Sequence, residues 1–149
     1  MRPEDSRSCR FRPLIPFFYS RTVRLADTDA AGVVYFVRTL SICHEAYEEA
    51  LAAAGLNLTD FLGVRDLIIP ISKSEAEYLR PLRAGDKLRV TVSPEPLATE
   101  FFAVRYEIFK LGPVDKIAAR VRTEHVCSSL AKRERVPVPP ALAAWVDAR

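Results

Sequence analysis

From Phe18 onward, apolar positions either alternate with polar ones or recur every three to four residues. Phe18 to Ala26 sets Tyr19, Arg21, Val23 and Leu25 against Phe18, Ser20, Thr22 and Arg24, a period of two that predicts a first strand. Phe36, Val37, Leu40, Cys43, Tyr47, Ala50, Leu51 and Ala54 then follow at helical spacing, and Gly55 is a suitable left-handed cap. Leu56 to Asp66 reads as an irregular connector with one short helical turn. Leu67 to Leu79 reads as a long extended segment, with Pro70 marking an edge or a bulge.

The second half repeats the strand pattern. Arg83-Ala-Gly-Asp-Lys87 is a turn with Gly85 and Asp86 at its tip. Lys87 to Val92 turns Leu88, Val90 and Val92 inward, and Phe101 to Phe109 does the same with Phe102, Val104, Tyr106 and Ile108. Gly112-Pro113 reverses the chain, and Ile117 to Cys127 puts Ile117, Ala119, Val121, Thr123, His125 and Cys127 on one face. Pro137, Pro139 and Pro140 end the sheet, and Ala141 to Val146 reads as a last helical turn.

Strand, long helix, then four antiparallel strands is an α+β order. One helix cannot cover both faces of five strands, but a curved five-stranded antiparallel sheet can wrap around it. That arrangement is the hot-dog fold, and it leaves a face and an edge for a second copy to cover. Residues 1–16, with Pro3, Pro13 and Pro16 and little periodicity, read as a flexible leader dispensable for catalysis. Residues 17–149 read as a single domain.

Composition narrows the classes. At 149 residues with 49% hydrophobic and 28% charged positions, the chain suits a globular domain with its own core. No apolar run approaches a bilayer span, and the arginine-bearing leader lacks the apolar stretch of a secretory signal. Cys9, Cys43 and Cys127 are odd in number and far apart, which argues against a disulfide framework or zinc site and fits a reducing cytoplasm. The net charge of +3 is spread among Glu and Asp rather than set in a stripe, so no nucleic-acid partner is expected.

The candidate chemistry lies in Asp27-Thr-Asp-Ala-Ala-Gly-Val-Val-Tyr-Phe36, an acidic loop with a glycine just before the long helix. A carboxylate there can attack or activate water, while the helix start offers unpaired N–H groups to a developing oxyanion. Asp is also common as a turn and capping residue. We assign chemistry to Asp29 and a loop-holding role, through backbone N–H groups, to Asp27. No acidic cluster of magnesium-site character follows, so no metal is expected. His44-Glu45 opens like a zinc-protease helix, but the second histidine position holds Glu48; His44 and Glu48 instead make an i,i+4 pair. His125, Cys43 and Cys127 sit on apolar faces and read as packing residues. Arg80, Arg83, Arg89, Arg105, Arg120 and Arg122 read mostly as solvated strand faces, with one or two of them as candidates for phosphate contacts. Phe101, Phe102 and Phe109 read as core or interface, or as one wall of an aromatic pocket.

These residues resemble a known family. The Asp27 to Tyr35 motif, followed by Cys43-His-Glu-Ala-Tyr-Glu48, is similar to the 4-hydroxybenzoyl-CoA thioesterase family over about Tyr19 to Pro137, and Pro81-Leu-Arg-Ala-Gly-Asp-Lys-Leu-Arg-Val90 resembles the same family's strand entry. With His125-Val-Cys127 added, the pattern looks most like the branch that hydrolyses 1,4-dihydroxy-2-naphthoyl-CoA in cyanobacterial phylloquinone synthesis. The resemblance implies an acyl-CoA substrate, no cofactor, and a homodimer or a homotetramer built as a dimer of dimers. It implies Asp29 as the catalytic carboxylate, the backbone N–H of Phe36 as the oxyanion donor, Gly32 as the glycine that turns the loop, and Tyr35 as a positioning residue. Thr99-Glu100 stands where some members carry basic residues for the CoA phosphates, so those contacts do not transfer. An aliphatic acyl-CoA thioesterase and a non-catalytic acyl-CoA-binding protein remain as alternatives.

Overall fold

The structure, a computed structural model, describes residues 16–61 and 66–148. The expected leader lies outside the described residues except for Pro16. Strand β1 (Phe17–Thr22) precedes α1 (Phe36–Ala53) and the short α2 (Leu58–Phe61). The chain continues as β2 (Leu67–Ile68), β3 (Ile71–Tyr78), β4 (Lys87–Ala98), β5 (Phe101–Lys110) and β6 (Lys116–Val126). It closes with β7 (Ser128–Ser129), β8 (Glu134–Arg135) and α3 (Pro140–Asp147).

Five strands form one antiparallel sheet in the order β1-β4-β5-β6-β3. Helix α1 lies on one face and buries Thr39, Ile42, Cys43, Ala46, Tyr47, Ala50 and Leu51. These meet the inward positions of the central strands, among them Leu88, Val90, Val92, Phe102, Val104, Tyr106, Ile108, Ala119 and Val121. A fully enclosed side chain such as Ile42 contributes about 1.5–3 kcal/mol by leaving water. The expected five-strand sheet around one long helix is what the chain builds, and Gly55 caps α1 at φ +78°.

Four expectations need correction. The first strand ends at Thr22 rather than Ala26, because Val23 leaves the ladder to exchange backbone hydrogen bonds with the β3–β4 turn at Gly85 and Asp86. Leu25–Asp27 then coils into a single 3-10 turn. The extended segment over Leu67 to Leu79 is two strands in two sheets: Pro70 separates β2, which pairs with β7, from β3, which pairs with β6. The resulting small sheet, β2-β7-β8, has strands too short to show a period. Finally, β4 runs on to Ala98 through Pro94 and Pro96. Past Val92 no described residue pairs with the β1 side of the strand, where its two prolines offer no donor.

Helix α1 packs against β1, β4 and β6. The edge strand β3 is exposed at every position but Ala76. The outer face of the sheet is polar, with Arg105 paired to Glu95, Arg120 to Glu77 and Glu107, and Arg122 to Glu124.

Candidate active site

The loop between β1 and α1 is a small hairpin. Thr28 bridges Val34, the Asp29 N–H donates to the Val33 carbonyl over 3.0 Å, and the Gly32 N–H donates back to the Asp29 carbonyl over 2.9 Å. Gly32 adopts φ +74°, a conformation that strains any residue with a Cβ. The Tyr35 N–H donates to the Asp27 carbonyl and the Val34 N–H to the Leu82 carbonyl, so the loop is tied both to its own base and to the segment after β3.

Asp27 holds this hairpin from below. Its carboxylate is buried, and Oδ2 accepts the Arg24 N–H at 2.8 Å, as the sequence led us to expect. It also takes two arginines: Arg21 on Oδ2 at 2.6 Å and Arg38, from the first turns of α1, on Oδ1 at 2.7 Å. Arg21 reaches on to Glu45, which accepts the Tyr19 hydroxyl. Burial alone would raise the Asp27 pKa; the Arg24 N–H and the two guanidinium groups outweigh it and hold the carboxyl below its ordinary range. Sequence reasoning missed the arginines. The available signal was a charged Arg21 on the same strand face as Tyr19 and Val23.

Asp29 is exposed, and its Oδ1 accepts the Ala31 N–H at 2.8 Å, which leaves Oδ2 clear of the loop backbone. Phe36 is the first residue of α1, so its N–H has no intrahelical carbonyl to serve. Asp29 and Phe36 line one open depression of about 360 Å³, together with Thr39, Tyr78, Arg80 and Leu82. A carboxylate and a helix-start N–H facing a common space can attack or deprotonate on one side of a carbonyl and stabilise its oxygen on the other. Gly32 shapes the loop without lining the depression. Tyr35 does not line it either; its ring packs edge-on against Phe36, centroids 4.9 Å apart. Two depressions about twice as large, of about 720 and 700 Å³, lie beside Trp145 and over the outer sheet face, and neither touches Asp29.

Tyr78 was not singled out by the sequence. From the edge strand its hydroxyl donates to the Phe36 carbonyl at 3.1 Å. Of the six candidate arginines, only Arg80 lines the depression, and its guanidinium also donates to the Ile117 carbonyl. Arg83 lies near Gly32, while Arg105, Arg120 and Arg122 belong to the ion pairs of the outer face and Arg89 pairs with Asp115.

The other expectations concern groups away from the depression. His44 Nε2 lies 3.4 Å from Glu48 Oε1, the expected i,i+4 pair. His125 is a core histidine: its ring stacks on Phe102 at 4.7 Å, Nε2 lies 2.8 Å from the Thr123 hydroxyl, and burial lowers its pKa to about 4. Burial raises the pKa of the Cys43 and Cys127 thiols, the latter to about 11, so both are packing groups rather than nucleophiles. Among the described residues no group of acidic, histidine or cysteine side chains could hold a metal ion, and no helix is long and apolar enough to cross a membrane.

Known proteins resemble this chain in sequence and in fold. The model of the thioesterase-like superfamily matches residues 23–146. The chain is 48% identical to the 1,4-dihydroxy-2-naphthoyl-CoA hydrolase of Thermosynechococcus vestitus over 86% of each chain. It is 44% identical to the hydrolase of the same name from Gloeothece citriformis, over 86% of this chain and 90% of that one. Among solved structures, a 1,4-dihydroxy-2-naphthoyl-CoA thioesterase from Synechocystis superposes with a TM-score of 0.83 at 36% identity, covering 87% of this chain and 94% of the other.

Proposed function

The chain belongs to the thioesterase-like superfamily, and from that premise we propose that it hydrolyses 1,4-dihydroxy-2-naphthoyl-CoA to 1,4-dihydroxy-2-naphthoate and CoA, a step of phylloquinone synthesis. The observation that carries the reading is the open depression that Asp29 shares with Phe36, the first residue of α1. The substrate is supported by the relatives that carry this activity in their names.

In the proposed reaction the thioester carbonyl accepts the Phe36 N–H, and the positive end of α1 adds to the stabilisation of the oxyanion. One such donor is worth about 3 kcal/mol in the transition state. Asp29, oriented by the Ala31 N–H, acts through Oδ2. It either attacks the carbonyl carbon, forming a mixed anhydride as the CoA thiolate leaves, or takes a proton from the water that attacks. Single-turnover hydrolysis in ¹⁸O-water bears on these: label in the enzyme carboxylate requires an anhydride opened by water at the Asp29 carbonyl, whereas general-base catalysis puts label only in the product acid. Gly32 keeps the hairpin turned, and Tyr35 braces Phe36 and so the amide.

The working unit in this proposal is a homodimer joined along β3, with the homotetramer as a dimer of dimers, acting in the cytoplasm. An eight-residue exposed edge strand with a side that no described strand pairs calls for a partner strand, and Tyr78 at its end would carry the interface to the rim of the depression. A panel of 1,4-dihydroxy-2-naphthoyl-CoA, benzoyl-CoA and a short fatty acyl-CoA tests the substrate. Preference for the fatty acyl ester would overturn it in favour of an aliphatic acyl-CoA thioesterase.

A further inference from the structure

Beyond Asp29 the depression has a neighbour. Because α1 leans toward β1 and β4, it leaves a second groove of about 390 Å³ between itself and the β6–β3 side of the sheet. The two follow each other along α1: Phe36 and Thr39 line the first, Leu40, Ser41 and His44 the second. At 1.5 Å of rise per residue, Leu40 and Ser41 stand about 6–8 Å beyond the Phe36 amide, and helix side chains lean back toward the N-terminus. That is the depth of a fused two-ring aromatic group whose carbonyl rests at Phe36.

The floor of this groove is polar although buried. Tyr106 and Thr123 line it, and the Tyr106 hydroxyl lies 3.4 Å from the Thr123 hydroxyl, which in turn lies 2.8 Å from His125 Nε2. Thr123 has one proton to give. If it goes to His125, the Tyr106 O–H donates to Thr123 and the phenol oxygen keeps a lone pair; if it goes to Tyr106, the phenol keeps its own proton. Either way one hydrogen-bonding position is left over on a buried phenol whose residue lines the groove. An aliphatic chain would leave that position unserved, at a cost that a hydroxylated ring avoids.

We propose that this groove receives the aromatic ring of the acyl group and reads its outer hydroxyl through Tyr106, with Ser41 facing it from α1. In a 1,4-dihydroxy-2-naphthoyl thioester the 1-hydroxyl sits beside the carbonyl and bonds to it internally, so the 4-hydroxyl is the one left for the protein. Tyr106 and Ser41 are then specificity-determining residues. The inference rests on the proposed hydrolysis of a hydroxylated aromatic acyl-CoA and extends it by naming what selects the hydroxyl.

The test compares kcat/KM for 1,4-dihydroxy-2-naphthoyl-CoA and 2-naphthoyl-CoA in the wild type, Tyr106→Phe and Ser41→Ala, with thermal unfolding of each. The wild type should favour the dihydroxylated ester, and that ratio should fall about tenfold in Tyr106→Phe and about threefold in Ser41→Ala. Ser41 is on the half-buried flank of α1, so its variant carries the test should Tyr106→Phe fail to fold. Equal losses on both esters, leaving the ratio unchanged, would make these residues merely structural and overturn the inference. A wild type that hydrolyses both esters equally well overturns the inference alone. One that hydrolyses neither overturns the proposed function, and the inference with it.

Discussion

The Tyr78 hydroxyl donates to the Phe36 carbonyl across 3.1 Å, tying the edge strand β3 to the first turn of α1. Phe36 also begins α1 and lines the depression, so the bond couples the sheet edge to the residue that carries the proposed oxyanion donor. Removing it with Tyr78→Phe should cost about 1 kcal/mol of stability. Turnover should fall about three- to tenfold as the first turn loosens. Steady-state kinetics beside thermal unfolding check this; unchanged kcat at lowered stability would confine Tyr78 to a structural role.

Asp29→Asn should lower kcat by about 10²-fold or more while substrate binding survives, because the amide is nearly isosteric but neither nucleophile nor base. Binding measured by calorimetry with a non-hydrolysable thioether analogue separates the two effects. A variant keeping a tenth of wild-type kcat would remove Asp29 from the mechanism.

Asp27→Asn should act on the fold first. It leaves Arg21, itself 13% exposed, facing a neutral amide, and should destabilise by about 3 kcal/mol. The folded-state pKa of Asp27 lies below the ordinary 3.8, so its contribution is complete above that value and is lost as pH falls through the lowered one. Urea titrations between neutrality and pH 2 should therefore show a steep acid loss in the wild type that is shallower in Asp27→Asn. Parallel curves would mean the ion pairs contribute nothing net.

His125 should report in a separate pH window. Its pKa falls from 6.5 to about 4 on folding, so the unfolded chain binds the proton first and stability declines as pH drops from 6.5 toward 4. The full swing is on the order of 3 kcal/mol. Burial is the main cause of the shift, and the nearby His44 adds to it. His125→Gln should flatten this limb, and a slope that persists in the variant would assign it elsewhere.

Light scattering at micromolar concentration should give at least twice the chain mass of 16.7 kDa, and Ala76→Asp on β3 should shift it toward the monomer with loss of turnover. A wild-type monomer at that concentration would remove the shared-edge picture.

Much of the fold was legible because burial writes a period into the sequence. Phe36–Ala53 repeats at helical spacing, and Phe102, Val104, Tyr106 and Ile108 alternate because one sheet face is covered and the other is not. Where the covering stops, so does the signal. β3 is exposed almost throughout, so its break from β2 at Pro70 left only the proline to see. The end of β1 at Thr22 is set by hydrogen bonds to Gly85 and Asp86, far along the chain. The candidate site divides the same way. Asp29, Gly32 and Phe36 lie in one short stretch, whereas Tyr78, Tyr106 and the arginines on Asp27 meet only once the sheet has formed.

Pro94 and Pro96 give the sheet two unlike borders. A strand that adds itself to a sheet needs donors along the receiving edge, and the stretch of β4 beyond β1 withholds two of them. Unwanted growth, of the kind that turns free edges into fibrils, is thus discouraged there, while β3, whose outer side no described strand pairs, carries no proline. Self-assembly is steered toward one border by what the other cannot offer.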